Sequence, residues 1–180
     1  MEKPIQPWSV PVAVEDVPET GLHLAIEAPA AARAGIAALA AVREIPTLSA
    51  VFDLSRRGAG VHVTGQVSAT VGQTCVVSLE PMETEVEEAV DVSFSPQVAA
   101  QATTAGEGHH AKPDDEEPPE PLIGGQVDLG ALATEFLLLG IDPYPRKSGV
   151  EFSRPKVEDG GEHPFAALET LKKRLGGGQS

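Results

Sequence analysis

The residues that could carry chemistry are few and scattered. Cys75 is the only cysteine, and with one of five histidines it could supply the nucleophile and base of a cysteine hydrolase. Its neighbours Val76 and Val77 place it in a predicted strand from Thr74 to Leu79, where a lone cysteine acts as a small buried hydrophobe. The structural reading is preferred. His109-His110, followed by Asp114-Asp115-Glu116-Glu117, offers imidazole and carboxylate ligands to a divalent metal. Adjacent residues seldom converge on one ion and this stretch has no apolar period, so weak adventitious binding is the expectation. Gly106-Glu107-Gly108 and Gly176-Gly177-Gly178 lack the strand and helix context of a phosphate-cradling loop. Glu135 lies among apolar neighbours on a predicted helix. There it either faces the one solvated stripe, on the side of Asp128 and Ala131, or is buried and paired with Arg146 or Lys147. No catalytic residue, cofactor or metal follows from these patterns, and the chain reads as non-enzymatic.

Charge narrows the partner class. The formal net charge is −14, and acidic residues crowd into Glu80 to Asp91, Glu107 to Glu120 and Glu151 to Glu162. A protein that grips nucleic acid through phosphates carries a basic face. The closest candidates here are Arg56-Arg57, Arg146-Lys147 and Lys172-Lys173-Arg174, each read as a solvated turn or helix end. A negative surface is better matched to a basic protein. The single cysteine excludes an internal disulfide and a cysteine-only metal site, and points to a reducing compartment. The amino terminus lacks the basic start and apolar run of a secretory signal, and no stretch is apolar for the roughly eighteen residues a membrane span needs. A cytoplasmic location is expected.

The elements that must position these residues read as α+β. The predicted architecture is an antiparallel meander of about five to six strands, open or barrel-like, with about two to three packed helices. Trp8 to Val14 is a strand candidate, and Pro18 to Gly21 a turn. Leu22, Leu24 and Ile26 then alternate with polar neighbours as a half-buried strand. Ala30 to Val42 is the first predicted helix, with Ile36 and Leu39 on a face and Pro46 beyond its end. Leu48 to Leu54 is a short strand and Arg56 to Gly60 a hairpin loop. The clearest pattern follows, where Val61, Val63, Val67, Ala69 and Val71 alternate with polar residues and Gly65 takes the remaining inward position. Gly72-Gln73 is expected to turn the chain. Val86, Val90, Val92 and Phe94 share a second strand's inward parity, with Glu88 the only intruder.

Residues 97–121 change to an acidic composition of Ala, Gln, Thr, Gly, His, Asp, Glu and Pro without apolar period, which reads as a flexible linker inside a single domain over residues 1–175, with a disordered tail at 176–180. Asp128 can cap, and Gly140 can end, an apolar helix whose face is Leu129, Leu132, Phe136 and Leu139, widened by Leu137 and Leu138. Pro143-Tyr144-Pro145 forces an extended turn. Pro164 to Leu175 is the last predicted helix, with Lys172, Lys173 and Arg174 suiting its dipole.

Three stretches resemble the YceD family, in its alphaproteobacterial form. They are Val61 to Pro81 with the acidic strand to Phe94, Val127 to Lys147 through Asp142-Pro-Tyr-Pro-Arg146, and His163-Pro-Phe-Ala-Ala-Leu168. Many relatives carry Cys-x-x-Cys-Leu where this chain has Cys75, Ser78 and Leu79, so paired-thiol chemistry or an anchored metal is not carried over. The resemblance implies a non-enzymatic ribosome-assembly factor that supports accumulation of large-subunit (23S) ribosomal RNA. It would act by docking to a basic ribosomal protein, an assembly factor or a pre-ribosomal particle, with Asp128, Glu135, Tyr144, Arg146 and Lys147 as the expected contacts. The alternatives are a direct RNA binder using a local basic patch, and an uncharacterised enzyme using Cys75.

Overall fold

The computed structural model describes residues 6–96 and 119–152. The predicted helix from Pro164 to Leu175, the His109-His110 pair, the tail and all but the end of the predicted linker lie outside the described residues. The chain divides into a unit over Met1–Val150, which holds every element below, and a unit over Glu151–Ser180.

In chain order the elements are β1 (Pro11–Ala13), a 3-10 turn (Val14–Asp16), β2 (Leu22–Glu27), α1 (Ala30–Leu39), β3 (Glu44–Arg57), β4 (Gly60–Thr74), β5 (Pro81–Ser95), β6 (Glu120–Pro121), β7 (Gln126–Asp128) and α2 (Leu129–Gly140). The fold is α+β. One sheet has the order β2-β3-β4-β5-β6, and β1 pairs with β7 in a second, two-stranded sheet. Strands β2 to β5 form the antiparallel meander, whereas β6 runs parallel to β5 opposite Phe94 and Ser95. The outer strands β2 and β6 do not meet, so the sheet is open rather than closed into a barrel.

The alternation from Val61 to Val71 sets the inner face. Val61, Val63, Val67, Ala69 and Val71 are all buried, against Leu48, Ala50, Phe52 and Leu54 of β3 and Val86 and Val90 of β5. Gly65 stands opposite Phe52 in the ladder, and a methyl group on it would collide with the Val51 carbonyl oxygen and lie 2.8 Å from the phenyl ring. The Val51 backbone and the ring together fill the space that a side chain at position 65 would need. Full burial of a residue like Phe52 is worth about 2–3 kcal/mol.

Three strand expectations are corrected. The predicted strand Leu48 to Leu54 is the middle of a much longer β3, because its ladder with β4 continues to the pair Arg57 and Gly60 around a tight turn with Gly58 at φ 62°. Strand β4 does not turn at Gly72-Gln73: those residues pair with Glu83 and Met82, and the ladder ends only at Thr74 opposite Pro81. Thr74 to Leu79 is therefore not a strand. Cys75 to Glu80 close the β4–β5 hairpin, with the Cys75 amide donating to Glu80 O at 2.9 Å and Leu79 held at φ 60°. Of the predicted strand Trp8 to Val14 only β1 is paired, and Trp8 is buried in the core instead.

Both helices also differ from expectation at their ends. Helix α1 stops at Leu39 because Ala41 adopts a left-handed φ of 53°. Ile36 is buried and Leu39 is exposed, the inner face being completed by the small residues Ala32 and Ala37. In α2 the buried positions are Leu129, Gly130, Leu132, Ala133, Thr134 and Leu137, while Leu139 is 76% exposed. Gly140 is the last helical residue and not a left-handed cap. A methyl there would lie 2.6 Å from Glu88 Cγ and 2.7 Å from Val86 Cγ1, so the glycine admits the inward-facing Glu88 beneath the helix end.

Candidate functional site

The segment that follows α2 clasps the β4–β5 hairpin loop. Gln73, a buried polar residue, donates Nε2–H to Asp142 O at 2.8 Å, and the Val76 amide donates to Pro145 O at 2.9 Å. Lys147 Nζ reaches Glu80 Oε2 at 2.9 Å, and its amide donates to Cys75 Sγ at 3.4 Å. The Ser78 amide gives the same sulfur a second donor at 3.4 Å. These groups, with the Ser78 hydroxyl contributing most, lower the Cys75 thiol to about 6. The sulfur nonetheless belongs to a residue with no exposed surface, so it acts as an acceptor that ties the two loops together. Hydrogen bonding to Lys147 holds the Glu80 carboxyl below its usual range.

Asp128 does a different job. Its Oδ1 accepts from the amides of Gly130 and Ala131, at 3.1 Å each, and from the Val10 amide at 2.8 Å, while Oδ2 accepts from Ser9 Oγ at 2.6 Å. It is thus the expected helix cap and also a latch to the chain before β1. Burial pushes its carboxyl up, but the Ser9, Val10, Ala131 and Gly130 donors outweigh that and leave it below the ordinary aspartate value.

The remaining expected contact residues spread over the far half of this region. Glu135 is exposed on α2 and meets neither Arg146 nor Lys147, so its solvated reading holds, and the lysine's ion pair is with Glu80. Tyr144 is 70% exposed at the tip of the clasp, where its amide donates to Asp142 Oδ1 at 2.8 Å. Arg146 is exposed beside it. Tyr144, Arg146 and Lys147 lie together after the end of α2, whereas Asp128 stands at the start of that helix, which is about 18 Å long.

A groove of about 920 Å³ runs between α2 and β5, and sequence reasoning missed it. Leu132, Glu135, Phe136 and Leu139 form one wall and Asp91 to Phe94 the other, with Arg57 and Glu120 also lining it. At its rim His62 Nε2 and Asp91 Oδ1 are 2.7 Å apart. The available signal was Leu139: its place on the apolar face of α2 matched a core position, and only the packing shows that this row lies beside the sheet edge. Among the described residues no group of three or more His, Cys, Asp and Glu side chains could hold a metal ion, and no helix is long and apolar enough to cross a membrane.

Over residues 63–172, more than half of its length, the chain matches the family described as large ribosomal RNA subunit accumulation protein YceD. No curated protein and no solved structure matches it.

Proposed function

The chain belongs to the YceD family, and from that premise we propose that it is a non-enzymatic assembly factor that supports accumulation of large-subunit ribosomal RNA by docking to a basic protein or ribonucleoprotein partner. The family description supports the ribosomal role. The observation that carries docking is the stiff, exposed Tyr144, set between two prolines on a loop that is anchored to the sheet by its backbone. A Tyr held in this way loses little conformational freedom on association, and aromatic anchors of this kind dominate binding energy at interfaces. Arg146 and Lys147 flank it, with Glu135 on the neighbouring helix. Asp128 contributes by fixing the helix that carries this surface. The compartment in which ribosomes are assembled, the cytoplasm, is where such a role would be carried out.

The test is a sucrose-gradient profile of ribosomal particles from cells with and without the chain, complemented by wild type or by Tyr144→Ala. Loss of large-subunit particles in the deletion, restored by wild type and not by Tyr144→Ala with unchanged thermal unfolding, is the expected outcome. Matching profiles with and without the chain would refute the assembly role. A Tyr144→Ala protein that unfolds at clearly lower temperature would make Tyr144 a packing residue and remove it from the docking surface.

A further inference from the structure

We infer that the outer edge of β5, unpaired before Phe94 among the described residues, is a strand-addition site for an extended segment of a partner protein in which basic and apolar residues alternate. This rests on the docking reading above and names its surface and the chemistry of its guest. Among the described residues nothing pairs with the outer edge of β5 before Phe94, where β6 begins. That short strand shows that the edge accepts an added chain: the Leu122 amide donates to Ser95 O at 3.1 Å.

Backbone direction follows from two independent contacts. The Ser95 carbonyl points outward, and because the β4–β5 register is unbroken, the other odd residues from Glu83 to Ser93 point their N–H and C=O groups outward as well. From the other side of the sheet, the Gly72 carbonyl accepts from the Arg43 amide, so the even residues of β4 face β3 and its odd residues bond the even ones of β5. The same odd positions of β5 carry their side chains on the wet face, and these include Glu83, Glu85, Glu87 and Asp91.

A guest strand on this edge meets two chemistries in strict alternation. Its residues on the wet face stand beside that row of carboxylates, and Arg57 is the one arginine or lysine among the described residues that line the groove. Its residues on the inner face enter the groove, against Val92, Phe136 and the 76%-exposed Leu139. The carboxylates favour lysine and arginine and repel phosphates, which selects a polypeptide over RNA.

The probe is a fluorescein-labelled peptide of about ten residues alternating lysine with valine, titrated into the full-length chain by fluorescence anisotropy. Three controls accompany it: the same composition with its lysines in one block, the same peptide N-methylated at alternate amides, and a single-stranded RNA of similar length. The alternating peptide is expected to bind at least about tenfold more tightly than either peptide control. Ala89→Pro removes an edge N–H that β4 does not use, and Leu139→Arg places a charge in the groove from an exposed position. Each is expected to weaken binding by about tenfold or more with circular dichroism unchanged. If Ala89→Pro disturbs the sheet, Leu139→Arg alone decides.

Equal binding of the three peptides, or variants that bind as wild type does, would overturn the inference. So would RNA binding lost in the same variants, or self-association of the chain that Ala89→Pro abolishes, since the edge would then serve another occupant. Expression of Leu139→Arg in the deletion strain separates the two proposals. Full rescue of large-subunit particles removes the edge and leaves the assembly role. Peptide binding in a chain whose deletion alters no particle leaves the edge and removes the role.

Discussion

Replacing Asp128 by alanine removes four hydrogen bonds that tie α2 to itself and to the chain before β1. The loss of the two helix-end bonds, to Gly130 and Ala131, costs about 1 kcal/mol, the usual value for an N-cap. The Val10 amide and the Ser9 hydroxyl lose a charged acceptor, and because both positions are reached by water the cost is about 0.5–1 kcal/mol each. The expected destabilisation is therefore about 2–3 kcal/mol, or a fall of roughly 6–10 °C in Tm. Asp128→Asn is the control, since its carbonyl oxygen can still accept at the Oδ1 position, and it should recover at least about half of the loss. The pH dependence has a definite sign. A carboxyl lowered in the folded state contributes its full stability above the unfolded value, and that contribution is lost as pH falls through the folded value. The gap between wild type and Asp128→Ala should thus be complete at neutral pH and close in acid. Urea denaturation across that range measures it. An alanine variant within about 0.5 kcal/mol of wild type at neutral pH, or a gap that does not change with pH, would refute the reasoning.

Gly65→Ala should cost about 3 kcal/mol, because the new methyl collides with the Val51 carbonyl oxygen, which is fixed backbone, and meets the Phe52 ring at 2.8 Å; denaturant midpoints would show it. Thr84 Oγ1 is buried without a hydrogen-bond partner among the described residues, so Thr84→Val should be neutral or stabilising by up to about 1 kcal/mol in the same assay. Cys75 should react slowly with a water-soluble disulfide reagent at neutral pH, despite a thiol lowered to about 6, and rapidly once urea unfolds the chain. Fast labelling of the native protein would mean that the clasp opens readily.

What could be read along the chain was whatever is set by near neighbours. The alternation from Val61 to Val71 needed only the period of a strand, and it placed Gly65 inward correctly. The turn from Pro18 to Gly21 closes as expected, with the Gly21 amide donating to Pro18 O at 3.0 Å, because proline and glycine dictate their own backbone angles. Asp128 was legible as a cap because its side chain satisfies amides two and three residues ahead. The family likeness likewise lay in residues that could be quoted from the chain.

Tertiary structure decided everything that depends on distant partners. Where β4 ends is set by its pairing with β5, and the Gly72-Gln73 dipeptide, a plausible turn in isolation, is held extended by that ladder and by the reach of Gln73 to Asp142. Cys75 moved from a predicted strand into a clasped loop for the same reason, since its donors come from Ser78 and from Lys147, which is 72 residues away. The apolar face of α2 could be seen, but not which part of it the sheet would cover. Helical period assigns Leu132, Phe136 and Leu139 to one stripe. Only the placement of α2 over Val86 and Glu88 leaves Leu139 in the groove beside the outer edge of β5, because burial is a property of what packs against a residue and not of the residue itself.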